Sequence, residues 1–182
     1  MFFFGQDVSN FRPISAENAY LAIINNDLKT AAAIFEALDS PRARWGLTLV
    51  SILEGFIQVY PTYFEIRNFL EIDLDFLIKN EKIEYIEYIL GSLELLSNIN
   101  QETYKYVARV MFENKFYKAA HEYMEKSKKI FYNDPELHFM FAKYYIQSRE
   151  YQDAEFYINE CLKILPNYFP AIKLKERISK FI

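Results

Sequence analysis

Apolar residues recur along this sequence at spacings of three and four, the mark of helices that each bury one face. From Tyr151 the inward positions are Ala154, Tyr157, Ile158, Cys161, Leu162 and Leu165; from Pro135 they are Leu137, His138, Phe141, Ala142 and Tyr145. Helix ends carry their own signals. Asp134-Pro135 and Ser40-Pro41 each set a capping residue before a proline in the first turn, where the missing N–H costs nothing. Pro166 stops the helix that begins near Tyr151. The pattern predicts helices over 15–25, 28–39, 42–58, 62–79, 82–97, 101–113, 116–131, 135–147, 151–165 and 169–181. Short polar breaks such as Asn80-Glu81 and Asn114-Lys115 predict antiparallel neighbours, and no strand pattern competes.

The helices repeat. A shift of 34 residues carries Ala108 onto Ala142, Met111 onto Tyr145, Ala120 onto Ala154 and Ser127 onto Cys161. Small residues at these positions let helix axes approach closely while bulky neighbours interlock around them. Each helix pair then buries its face only against the next pair, so the fold grows as a stack. Three copies are in phase: 135–168, with Ala142, Tyr145, Ala154 and Pro166; 101–134, with Tyr104, Ala108 and Ala120; and a degenerate 67–100. The last keeps a hydrophobic skeleton of Leu70, Leu74, Leu77, Ile86, Leu90 and Leu93, but Asp73 intrudes into it.

This pattern resembles the tetratricopeptide repeat, with its aromatic, small residue, tyrosine, second-helix alanine and closing proline. His138 stands where the motif wants tryptophan and Ile158 where it wants phenylalanine. The resemblance implies an all-α fold, a right-handed superhelical stack of antiparallel helix pairs. Residues 1–66 are expected to form an irregular helical segment continuous with the stack, 67–168 the repeats, and 169–182 a capping helix. The aromatic knot Tyr60-Pro61-Thr62-Tyr63-Phe64 is expected at the junction.

Composition narrows the function. A sequence that is 52% hydrophobic is not disordered, and four glycines and six prolines are too few for an all-β fold. A net charge of −4 argues against general nucleic-acid binding. The charge is uneven: residues 1–100 carry 7 basic and 14 acidic groups, residues 101–182 carry 14 and 11. A single cysteine, Cys161, suits a reducing compartment, and no apolar run is long enough for a signal peptide or a membrane span. Cytoplasmic location is the expectation. Phe2, Phe3 and Phe4 are expected to pack on the N-terminal helices or to lack order.

Catalytic sets do not assemble from these residues. The glycines are isolated, and His121 and His138 lack metal-ligand partners at suitable spacing. Cys161 falls in a slot for a small core residue, and Lys126, Lys128 and Lys129 read as a solvated face. The expectation is no enzyme, no metal and no cofactor.

Binding is better supported. The resemblance implies a concave groove, lined by the first helix of each pair, that holds a peptide. The groove-facing positions are Glu71, Asp75 and Ile78; then Lys105, Arg109 and Phe112; then Phe139, Lys143 and Ile146; then Lys173, Arg177 and Lys180 on the cap helix. This stripe is expected to bind an acidic peptide segment or the C-terminus of a partner, with cations supplying charge-assisted hydrogen bonds and apolar residues the anchors. Lys105 and Arg109 also resemble a carboxylate clamp, without that clamp's asparagines. A plainer alternative pairs Glu71 and Asp75 with Lys105 and Arg109 on the next helix. The function read from the sequence is a non-catalytic scaffold or adaptor with a protein or peptide partner; the alternatives are a self-associating structural subunit and a secretion-type chaperone.

Overall fold

The computed structural model describes residues 14–55 and 60–182, every regular element of which is helical. The expectations for Phe2, Phe3 and Phe4, and for the end of the helix over 42–58, lie outside the described residues. The protein divides into two compact units, Met1–Tyr60 and Pro61–Ile182.

The first unit holds α1 (Ala16–Ile24), α2 (Leu28–Glu36) and α3 (Pro41–Leu53). Asp27 caps α2 by accepting from the Thr30 N–H at 3.1 Å, and Ser40 caps α3 by accepting from the Ala43 N–H at 3.1 Å. The helices meet closely at Gly46, where an added Cβ would lie 2.5 Å from the ring of Phe35. Phe35 is fully buried and packs edge-on against Tyr20, so it has little room to yield. Alanine would favour the helix over glycine by about 1 kcal/mol, but overpacking a buried contact costs about 1–3 kcal/mol. The clash dominates. Gly46→Ala is expected to destabilise the protein by about 0–2 kcal/mol net in urea denaturation; a stabilised variant would contradict this packing.

The second unit is the stack. Its first long helix runs as α4 (Glu65–Asn68), a π-helical segment (Phe69–Leu74) and α5 (Asp75–Lys79). There follow α6 (Ile83–Gly91), α7 (Leu93–Ile99), α8 (Thr103–Glu113), α9 (Tyr117–Ile130), α10 (Pro135–Gln147), α11 (Tyr151–Ile164) and α12 (Phe169–Ile178). Ala108, Ala120, Ala142 and Ala154 are fully buried, as the spacing predicts for sites of close helix approach. Around them Phe141, Ile158, Cys161 and Met124 fill the core.

The repeat is written most plainly in the turns. Glu81, Lys115 and Arg149, spaced by 34, all have positive φ (54°, 67° and 64°). In each, the next residue's N–H returns to the carbonyl five positions back: Lys82 to Leu77, Phe116 to Met111, Glu150 to Tyr145, at 2.9–3.0 Å. This is the same helix-ending motif three times, built without glycine. The turn at Glu81 falls in 67–100, so that degenerate stretch keeps the repeat's turn in phase.

The same stretch departs from expectation in two places. The predicted helix over 62–79 contains the π-helical segment, which buries Asp73 together with Phe69, Leu70 and Leu74. The predicted helix over 82–97 is two helices, broken at Gly91-Ser92. There the Ser92 hydroxyl donates to the Tyr88 carbonyl at 2.9 Å, a local bond that competes with continued helix, and Gly91 adds backbone freedom.

Candidate functional site

The groove-facing stripe of the first helices divides in two. Lys105, expected to face solvent, has a side chain only 6% exposed. Its Nζ donates to Asp134 at 2.7 Å and to Glu102 at 2.9 Å, and lies 3.5 Å from Glu136. Burial disfavours its charge, but the Asp134 and Glu102 carboxylates outweigh that and push its pKa up to about 12. Arg109 donates to Glu71 on one side and Glu136 on the other. The expectation of groove-lining cations at both positions is corrected: buried Lys105 and half-buried Arg109 are ion-paired links between successive helix pairs. Of the plainer alternative, Glu71 does pair with Arg109, while Asp75 bonds Lys79 and Asn114 instead.

Asp134 has two tasks. One carboxylate oxygen caps α10 by accepting from the N–H groups of Glu136 and Leu137 at 2.9 and 3.2 Å; the other takes Lys105. The start of one first helix is thereby clamped to the preceding one.

One repeat later, the same register carries different chemistry. Phe139 replaces Lys105, and Tyr168 replaces Asp134, and these two rings meet edge-on at 5.3 Å. Lys143 replaces Arg109, and Pro170 replaces Glu136, so the position that gives Arg109 its carboxylate carries a proline in the next repeat. With its acids gone, the interface opens into a cleft of about 760 Å³ between α10 and α12, which Lys173, Arg177 and Lys180 also line. Phe139, Pro170 and Leu174 make its apolar walls, and Glu176 is its one acid. Among the described residues, Arg177 and Lys180 have no ion-pair or hydrogen-bond partner. Lys143 lies over the Phe112 ring at 4.8 Å and Lys173 over the Phe169 ring at 4.5 Å, contacts a ligand carboxylate can share.

The structure therefore gathers Phe139, Lys143, Lys173 and Arg177 in one place, and leaves Phe112 and Ile146 half-buried outside the lining. Pro170 and Leu174 were not singled out from the sequence. Both lie on the Lys173–Arg177 face at helical spacing, which is the signal that could have found them.

Other candidates have packing roles. His138 is buried with its Nε2 2.7 Å from the Tyr132 carbonyl, and burial lowers its pKa. His121 lies against the ring of Tyr144. Burial pushes the Cys161 thiol up to about 11, leaving it protonated and unreactive at neutral pH. Lys128, expected to be solvated, donates to the Tyr157 hydroxyl at 3.0 Å and lies over the Phe141 ring at 5.2 Å. Among the described residues, no group of three His, Cys, Asp or Glu stands together as a metal site, and no helix is long and apolar enough to cross a membrane.

No protein-family model matches this sequence, and no curated protein matches it either. Solved structures do match in fold. The C-terminal part of a TPR repeat-containing protein from Cytophaga hutchinsonii superposes with a TM-score of 0.52 at 14% identity, over 90% of this protein and 69% of that one. PilF of Pseudomonas aeruginosa gives a TM-score of 0.49 at 18% identity, over 91% of this protein and 82% of that one. The first of these likenesses and the recurring turns agree with the spacing of the alanines: the protein has the all-helical fold of a tetratricopeptide repeat stack.

Proposed function

We propose that this protein is a non-catalytic scaffold that holds an acidic, partly apolar segment of a partner protein in the cleft between α10 and α12. One observation carries the reading. The repeat interface that is closed by Asp134 and Glu136 in one copy is open in the next, because Tyr168 and Pro170 stand in their places. A cationic cleft with an apolar wall remains, and a partner's carboxylates can complete it. Aliphatic or aromatic side chains of the partner would bury against Phe139, Pro170 and Leu174, and carboxylates would meet Lys143, Lys173 and Arg177.

Lys105 and Arg109 are poor probes of this idea, because reversing internally paired, buried or half-buried charges attacks the fold itself. The informative variants lie on α12. Lys173→Glu with Arg177→Glu is expected to weaken an acidic, tyrosine-bearing peptide at least ~30-fold in fluorescence anisotropy, since each charge-assisted contact is worth about 1.5–3 kcal/mol before solvent screening. Pro170→Glu should also weaken it by supplying Lys143 with an internal carboxylate. Unchanged affinity and unchanged salt dependence in both would sink the cleft as the binding site.

A further inference from the structure

α6 is a sparsely covered helix of the second unit. Six of its nine residues are apolar, yet only Ile89 is fully buried. Its exposed residues are Ile83, Glu84, Glu87, Tyr88 and Gly91, which fall on one helical face. Ile83 is 63% and Tyr88 42% exposed. Glu84 and Glu87 form no ion pair among the described residues, so the face is apolar and acidic without internal neutralisation. The break at Ser92 accounts for the exposure: α7 begins there as a separate helix instead of extending α6 into a full second helix.

The α10–α12 cleft has the complementary character. It is concave where α6 presents a convex helical face, cationic where α6 is anionic, and carries Phe139, Pro170 and Leu174 to receive two apolar anchors. An amphipathic helix laid into a groove is an established mode of recognition. At 1.5 Å per residue, α6 is about 13 Å long, roughly two and a half turns.

We infer that the α6 face of one copy of this protein docks into the α10–α12 cleft of a second copy, giving a head-to-tail association. This rests on the cleft taking acidic, partly apolar segments, and names the protein itself as one such partner. Because the two surfaces differ, the contact is heterologous: one end of the assembly keeps a free α6 face and the other a free cleft, and assembly continues until a ring closes or the concentration limits it. Charge complementarity also makes the association salt-sensitive.

Sedimentation velocity on the full-length protein tests this. The wild type is expected to shift to larger species with rising concentration, and less so at high salt. Glu84→Lys with Glu87→Lys removes the acidic face; Lys173→Glu with Arg177→Glu removes the cleft; each variant alone should remain monomeric. None of the four positions is buried, and matching circular-dichroism melts confirm that both variants fold. Mixed, the two variants restore two complementary pairs, the original cleft with the original α6 face and the reversed cleft with the reversed face, so they should assemble together where neither does alone. A wild type monomeric at every concentration, or a mixture that stays monomeric, overturns the inference. The acidic peptide separates the two readings. If it binds the wild type and the Glu84→Lys, Glu87→Lys variant equally while no assembly occurs, the cleft is a binding site for another protein; if it binds neither, both readings fail.

Discussion

Phe141→Ala is expected to destabilise the second unit by about 3–5 kcal/mol, the cost of emptying an aromatic site in a well-packed core. Phe141 is fully buried in the cluster that joins the last two repeats. It stacks on Tyr157 at 4.7 Å, meets His121 edge-on at 5.8 Å, and lies under the Lys128 ammonium at 5.2 Å. Truncation removes dispersion contacts on every side and leaves Lys128 without one of its aromatic partners. The neighbours cannot collapse inward, because Ala142 and Ala154 already bring the helices to close approach. Phe141→Leu, which keeps most of the volume, should cost no more than about 1.5 kcal/mol. Urea denaturation of both variants checks the pair, and a loss for alanine no larger than that for leucine would contradict a rigid core at this position.

Lys105→Met is expected to cost about 2–4 kcal/mol. Removing one partner of a buried ion pair typically costs about 3–5 kcal/mol, and the partly exposed Glu102 and Glu136 reduce that toward the lower end by solvent screening. By contrast, the Arg42–Glu17 bridge has side chains 44% and 67% exposed, and solvent screening leaves it little to contribute. Lys105 also predicts an alkaline loss of stability. Its pKa is raised in the folded protein to about 12, above the ordinary 10.5, so its contribution is complete below 10.5 and is lost as the pH rises from there through about 12. Tyr106, raised to about 12 by burial and by donating to Glu102, weakens the fold over a similar range because the unfolded phenol ionises first. Tyr106→Phe separates the two contributions: with tyrosine removed, the remaining alkaline loss belongs to Lys105. An alkaline profile identical in Lys105→Met and wild type would contradict the role assigned to Lys105. His138 works at the other end: its lowered pKa means that stability falls as the pH drops below 6.5, where the unfolded imidazole takes a proton that the buried ring resists.

The helices, the 34-residue phase and the close-packed alanines were legible in the sequence, because each depends on the chemistry of one helix face. Pro135 and Asp134 announced the start of α10, and Ala108, Ala142 and Ala154 announced where helices meet. The repeat's turns were less legible. Their left-handed residues are Glu81, Lys115 and Arg149, where glycine or asparagine would have been the recognisable signal. The break at Ser92 and the π-helical segment around Asp73 were also hidden: the first goes with a local Ser92–Tyr88 hydrogen bond, and neither is encoded in the periodicity.

The fate of the cations was a tertiary matter. Lys105 and Lys173 hold equivalent places in the repeat, as do Arg109, Lys143 and Arg177, and helical spacing assigns them all to the same face. What separates them is the helix that arrives next. For α8 it brings Asp134 and Glu136, which pair with Lys105 and Arg109 and close the interface. For α10 it brings Tyr168 and Pro170, which among the described residues leave Lys143 without a carboxylate partner beside the open cleft. A charge pattern along one helix says which way its side chains point; only the neighbour, 27 to 29 residues away in sequence, decides whether they are neutralised or left for a partner.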